Sequence, residues 1–130
     1  MRVELVDFIS IPTRDATRAL AWYTQVLGLP LSECTASEVE TPNVTLSFWL
    51  PEEQGEQFVP NQNGIALRVA DVHAAVEEVR VAGGEVIGIE DSGVCHMGFV
   101  KDPDGNVVIL HRRYLPRERD VRASSDFLSD

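Results

Sequence analysis

The sequence predicts an α+β fold built from two tandem βαβββ modules, and three observations carry that expectation. The first is a repeat: one displacement of the chain lays Asp15 on Asp71, Ala19 on Ala75, Leu20 on Val76, Tyr23 on Val79 and Gly28 on Gly84, as expected of a duplicated supersecondary unit. The second is the helix punctuation that both copies share, an Asp cap before the apolar period and glycine after it. The third is the run of alternating segments behind each helix, ending in a hairpin over residues 94–113.

Taken in order, residues 3–11 alternate as a strand, with Val3, Leu5, Ile9 and Ile11 on one side and Glu4, Val6, Phe8 and Ser10 on the other. Pro12 and Thr13 break it. Asp15 is placed to cap a helix whose apolar residues Ala16, Ala19, Leu20, Tyr23, Val26 and Leu27 recur at three and four positions, and Gly28 and Pro30 close it. Residues 31–40 are mixed and read as two short strands, or one strand and a loop. Residues 43–50 alternate clearly, with Val44, Leu46, Phe48 and Leu50 toward a core and Asn43, Thr45, Ser47 and Trp49 opposite. Residues 51–62, rich in Glu, Gln and Pro, read as the connection between two halves.

The second copy runs through a strand of Ile65, Leu67 and Val69, the cap Asp71, a helix of Val72, Ala75, Val76, Val79 and Ala82, and Gly83-Gly84. Strand-type segments at 85–89, 94–101 and 106–113 follow. One domain over residues 1–113 is expected, module one at about 3–51 and module two at about 62–113. Residues 114–130 are expected to form a mobile tail, since from Pro116 onward they are charged with only Val121, Phe127 and Leu128 as anchors, or to dock weakly on a neighbour.

With 130 residues and 44% hydrophobic content, the chain can bury one good core. A formal charge of −10 opposes nucleic acid and anionic membranes as partners, since both require a positive patch; it would draw cationic ligands, and it is equally the ordinary acidic surface that keeps a cytoplasmic protein in solution. Cys34 and Cys95 have neither metal-site spacing nor the density of a disulfide scaffold, so two buried free thiols in a reducing, cytoplasmic setting are expected. There is no apolar run of signal-peptide length, and none reaches the roughly 18 residues of a membrane span.

In the hairpin, Asp102-Pro103-Asp104-Gly105 reads as the turn. A simple tight connection over those four residues sets Lys101 opposite Asn106, Gly98 opposite Ile109 and His96 opposite His111. Gly98, Val100, Val107 and Ile109 then share a face with both histidines, while Cys95, Met97, Phe99, Val108 and Leu110 form the core face. Two imidazoles side by side, titrating near neutrality, are candidates for general acid–base work, a relocated metal site, or a buried hydrogen-bonded pair. His73, on the second helix, is expected to face solvent.

The duplicated unit with Asp102-Pro103-Asp104-Gly105-Asn106 in its last hairpin resembles the vicinal oxygen chelate superfamily, the glyoxalases, bleomycin-resistance proteins and extradiol dioxygenases, over residues 3–113. That resemblance implies a cupped mixed sheet around a cleft, helices on its outer face, and a divalent metal held by His or Gln on the first strand of each module and Glu on the last. Carried onto this chain, those places are Phe8, Gly64 and Ile109, none of which ligates a metal through its side chain. No metal cofactor at that triad is therefore expected.

The expected cleft lining is Phe8, Ser10, Asn43, Thr45, Ser47, Trp49, Gly64, Ala66, Gly98, Val107 and Ile109, joined by His96 and His111, with Glu38 and Glu40 at its mouth. Trp49 is a candidate stacking platform; Trp22 is expected to cover the sheet or a subunit contact. Such a pocket suits a small organic molecule, cationic or aromatic. Three functions follow: a metal-independent binding protein, a lyase, isomerase or dioxygenase-type enzyme of the same superfamily using His96 and His111, or an interaction module without ligand chemistry. The superfamily's habit of completing clefts by pairing modules implies a symmetric homodimer.

Overall fold

The computed structural model describes residues 1–115. The residues 116–130 of the expected tail lie outside the described residues. Strand β1 (Phe8–Pro12), helix α1 (Ala16–Gln25), β2 (Glu38–Glu40) and β3 (Thr45–Trp49) form the first module. A short 3-10 turn (Pro51–Gln54) leads on to β4 (Ile65–Arg68), α2 (Val72–Val81), β5 (Glu85–Asp91), β6 (Cys95–Lys101) and β7 (Val107–Arg113). Both helices start where the sequence puts them: Asp15 accepts from the Arg18 N–H at 3.1 Å and Asp71 from the Ala74 N–H at 3.0 Å, each satisfying an otherwise orphaned donor of the first turn.

The strands make two open mixed sheets, ordered β1-β3-β2 and β4-β7-β6-β5. Each module pairs its first and last strands in parallel and the others antiparallel. The first module is one strand poorer, because its would-be second strand is reduced to an isolated bridge between Leu31 and Val39. The expected first strand is also shorter. Pairing with β3 begins at Phe8 opposite Thr45, and Val3, Leu5 and Val6 remain exposed beyond that end.

One buried cluster joins the modules, with Ile11, Ala19, Tyr23, Val39, Leu46 and Phe48 from the first and Val72, Val76, Val79, Val100, Val108 and Leu110 from the second. Tyr23 packs edge-on against Phe48 at 4.9 Å and against the half-buried Trp22 at 5.0 Å. The hairpin loop is the other joint. Asp104 accepts from the Thr13 hydroxyl at 2.6 Å, the Arg14 N–H at 3.1 Å and the Arg18 guanidinium at 2.8 Å. Asn106 donates to the Pro12 carbonyl at 2.8 Å, and Tyr23 donates to the buried Asp102 at 2.9 Å. The motif that suggested the family thus clamps module two onto the β1–α1 junction. Among the described residues no helix is long and apolar enough to cross a membrane.

Candidate functional site on the helix-free faces

Strand registers decide which side chains can meet a ligand. In the first sheet Phe8, Ser10 and Pro12 pair with Thr45, Ser47 and Trp49, and Glu38 and Glu40 pair with Ser47 and Thr45, so these share one face. Their neighbours Ile9, Ile11, Val39, Leu46 and Phe48 belong to the core under α1. The sequence thereby places Phe8, Ser10, Thr45, Ser47 and Trp49 together correctly. Asn43 lies exposed just before β3. Phe8 is 56% and Trp49 37% exposed, and Glu40 accepts from the Thr45 hydroxyl at 2.6 Å.

In the second sheet Ala66 pairs with Ile109 and Arg68 with His111, while Phe99 pairs with Ile109 and Met97 with His111. The helix-free face is therefore Ala66, Arg68, Met97, Phe99, Ile109 and His111, with Gly64 just ahead of β4. A Cβ at Gly64, whose φ is +78°, would sit 3.0 Å from Ile109 Cδ1 and 3.1 Å from a Val107 methyl. Gly64, Val107 and Ile109 thus adjoin as expected.

The expected placement of β6 is overturned. Its register with β7 is slipped by one from the tight-turn reading: Lys101 pairs with Val107, Gly98 with Leu110 and His96 with Arg112. The reason lies in the loop. The Asp102 N–H donates to the Asn106 carbonyl at 2.9 Å and the Gly105 N–H to the Asp102 carbonyl at 3.0 Å, with Gly105 at φ +87°. Asp102 and Asn106 are thus the closing pair of a three-residue loop. Every β6 side chain changes face in consequence. Gly98 lies under α2, where a Cβ would collide with Val76, and Val100 is core. Cys95, Met97 and Phe99 turn to the helix-free face instead.

His96 accordingly leaves the site. Its ring lies 5.6 Å from that of His73 on α2 and 5.2 Å from that of Tyr114, and its Nε2 is 3.4 Å from Asp91 Oδ2. Asp91 also accepts from the Gly93 N–H and the Tyr114 hydroxyl, both at 2.8 Å; with the Gly93 bond the largest cause, its carboxyl is held below the usual range. His111 stays on the helix-free face beside Arg68. The two cysteines also differ from expectation, since Cys95 is buried but Cys34 is exposed.

A metal does not fit the family positions, because Phe8, Gly64 and Ile109 offer no donor side chain. Among the described residues no group of three or more His, Cys, Asp or Glu is arranged to hold one. The side chains that sequence reasoning left out of the site are Arg68, Met97 and Phe99. Period-two spacing from Gly64 and Ala66 points to Arg68, and glycine at the third position of a Pro103-Asp104-Gly105 loop signals the register that brings in the other two.

A family model described as the Glyoxalase/Bleomycin resistance protein/Dioxygenase superfamily matches residues 5–110. A probable lactoylglutathione lyase of Vibrio parahaemolyticus is 30% identical across 74% of this chain and 81% of its own length. Among solved structures, TnmS3, an antibiotic binding protein from Streptomyces, superposes with a TM-score of 0.72 at 22% identity over 87% of this chain and 98% of that one. A lactoylglutathione lyase from Agrobacterium tumefaciens does so with 0.70 at 15% identity over 85% and 94%.

Proposed function

Because the chain belongs to the glyoxalase/bleomycin resistance protein/dioxygenase superfamily, we propose that it binds a small organic molecule on the helix-free faces of its sheets without the family's metal triad. The observation that carries this reading is the set Phe8, Gly64 and Ile109 at the three ligand places, with Ile109 and Val107 side chains against the space over Gly64. Apolar groups there favour contact with hydrocarbon over coordination. Phe8 and Trp49 on the first sheet offer aromatic surface for a ring.

The likeness to an antibiotic binding protein supports a binding role, and the relatives named lactoylglutathione lyase favour a second reading, an enzyme of the same superfamily. In that reading His111 alone serves from the helix-free face, since His96 stands on the other. A symmetric homodimer is part of the proposal, supported by exposed Val3, Leu5, Val6 and Phe8, and a cytoplasmic setting by the two free cysteines. The test is elemental analysis of purified protein followed by a thermal-shift screen of aromatic small molecules against divalent metals. Stabilisation by organic compounds with no stoichiometric metal is the expected result; a metal at Phe8, Gly64 and Ile109 overturns the reading.

A further inference from the structure

We propose that Gly64 is a specificity-determining residue of the second sheet: its left-handed backbone, with the Ile109 and Val107 side chains lying where its own would stand, closes the family's metal place to a donor and leaves hydrocarbon for the ligand. This rests on the small-molecule reading above and deepens it, because the metal is then excluded by the backbone as well as by the residue types.

The family resemblance implies a donor that projects from the first strand of the module. Here that strand begins one residue later, at Ile65, and Gly64 has φ +78°, a region that residues bearing a Cβ rarely adopt. The conformation is pinned. The Asn61 N–H donates to Asn106 Oδ1 at 2.7 Å, the Val107 N–H to the Asn61 carbonyl at 2.9 Å and the Asn63 N–H to Asn61 Oδ1 at 3.0 Å. Asn106 is itself buried, and its amide donates to the Pro12 carbonyl and to Asp102, both at 2.8 Å. Straightening the backbone at Gly64 would therefore disturb segment 61–63 and, through Asn106, the joint between the modules.

Space adds a second obstacle. A Cβ at Gly64 would stand 3.0 Å from Ile109 Cδ1 and 3.1 Å from both Ile109 Cγ1 and a Val107 methyl, closer than the roughly 3.5–4.0 Å at which carbon atoms settle in contact. A metal held between two imidazoles sits about 2.0–2.1 Å from each nitrogen, so the two side chains must part beyond their β-carbons, and here they already meet at the first one. Ala66 is placed differently. It belongs to β4 itself, in register with Ile109 and about one strand spacing, roughly 4.8 Å, away. The row across this face, Ala66, Ile109 and Phe99, is hydrocarbon throughout.

The test uses the full chain with Ni²⁺ as the probe and two double variants that differ only in where one imidazole stands: Gly64→His with Ile109→His, and Ala66→His with Ile109→His. Imidazole suits Ni²⁺, and calorimetry should show the Ala66 pair binding it about ten-fold or more tighter than the Gly64 pair. Gly64→Ala should lower the melting temperature of the parent by several degrees. Made in an Ile109→Ala background, the same change should cost less but not nothing, since the backbone conformation remains. Equal Ni²⁺ affinity of the two pairs, a neutral Gly64→Ala, or no cost in the Ile109→Ala background overturns the inference and leaves the small-molecule reading standing. Should the Gly64 pair fail to fold by circular dichroism, the alanine variants decide alone. Stoichiometric metal in the parent at Phe8, Gly64 and Ile109 overturns both.

Discussion

His96 and His111 stand on opposite faces of the same strand pair, His96 opposite Arg112 and His111 opposite Met97. A shared proton or ligand between them is therefore excluded by the sheet itself, and their substitutions should separate. His96→Ala is expected to leave ligand affinity unchanged and the melting temperature nearly so, because its 3.4 Å contact to Asp91 is largely exposed. His111→Ala should weaken binding on the second sheet. Titration of one ligand against both variants decides it: equal losses of affinity would contradict the assignment.

The loop clamp makes a second prediction. Tyr23→Phe deletes one of the donors to Asp102, a side chain buried within the joint between modules, and should cost about 1–3 kcal/mol in denaturant unfolding. Mutual burial leaves the Tyr23 hydroxyl well above its ordinary pKa, desolvation being the main cause and the Asp102 charge the next. The phenol therefore stays a donor throughout the accessible pH range.

Asp102 itself gives a pH signature. Desolvation raises its pKa in the fold, against the lowering effect of bonds from Asn106 and Tyr23. As pH rises through the ordinary carboxylate value the unfolded chain releases its proton first, so this group lowers stability across the interval up to its folded pKa and adds a constant penalty above it. Asp102→Asn, neutral throughout, should lack that slope. Unfolding free energy measured for both proteins from pH 3.5 upward should show the difference between them changing across that interval and levelling beyond it; a constant difference would refute the assignment.

Much of this architecture is written locally in the chain. Asp15 and Asp71 cap helices that begin at the next residue, and alternation through Leu46 and Phe48 sorts the first sheet onto its two faces. What apolar alternation alone did not supply was the hairpin register, since Met97 and Phe99 on one face and Val100 on the other leave either phase open, and the local signal lay in the turn, in Gly105 at the third loop position. The decision rests on Asp102 closing against Asn106, a contact secured by Tyr23 and Pro12 from the far end of the chain. For the same reason Arg68 could not be seen as a neighbour of His111 before β4 was paired with β7.

A fourth prediction concerns Gly98, read from sequence as spare volume in a cleft. Under α2 a methyl group there meets Val76 and, at 3.2 Å, Val72, in a core with no slack to absorb it. Gly98→Ala should destabilise by about 1–3 kcal/mol through overpacking, and Gly98→Ala with Val76→Ala should recover part of that loss. If Gly98→Ala is neutral in thermal unfolding, the helix does not lie over this position.

The exposed segment ahead of β1 argues for the fifth prediction, a dimer. Strand β1 is the edge of its sheet, and ahead of it Val3, Leu5 and Val6 are 78%, 79% and 64% exposed, with Phe8 at 56%. Burying a side chain of that size is worth about 1.5–3 kcal/mol, so the four together can outweigh a substantial part of the entropy lost on association. An edge strand also carries unpaired backbone donors and acceptors that a second copy can meet. Light scattering at tens of micromolar should give a dimeric mass. Leu5→Lys should raise the dimer dissociation constant by roughly ten-fold or more while leaving circular dichroism unchanged, since neither α1 nor the buried cluster contains Leu5. A monomeric mass for the parent protein refutes the dimer outright, and an unaltered dissociation constant in Leu5→Lys removes this segment from the interface.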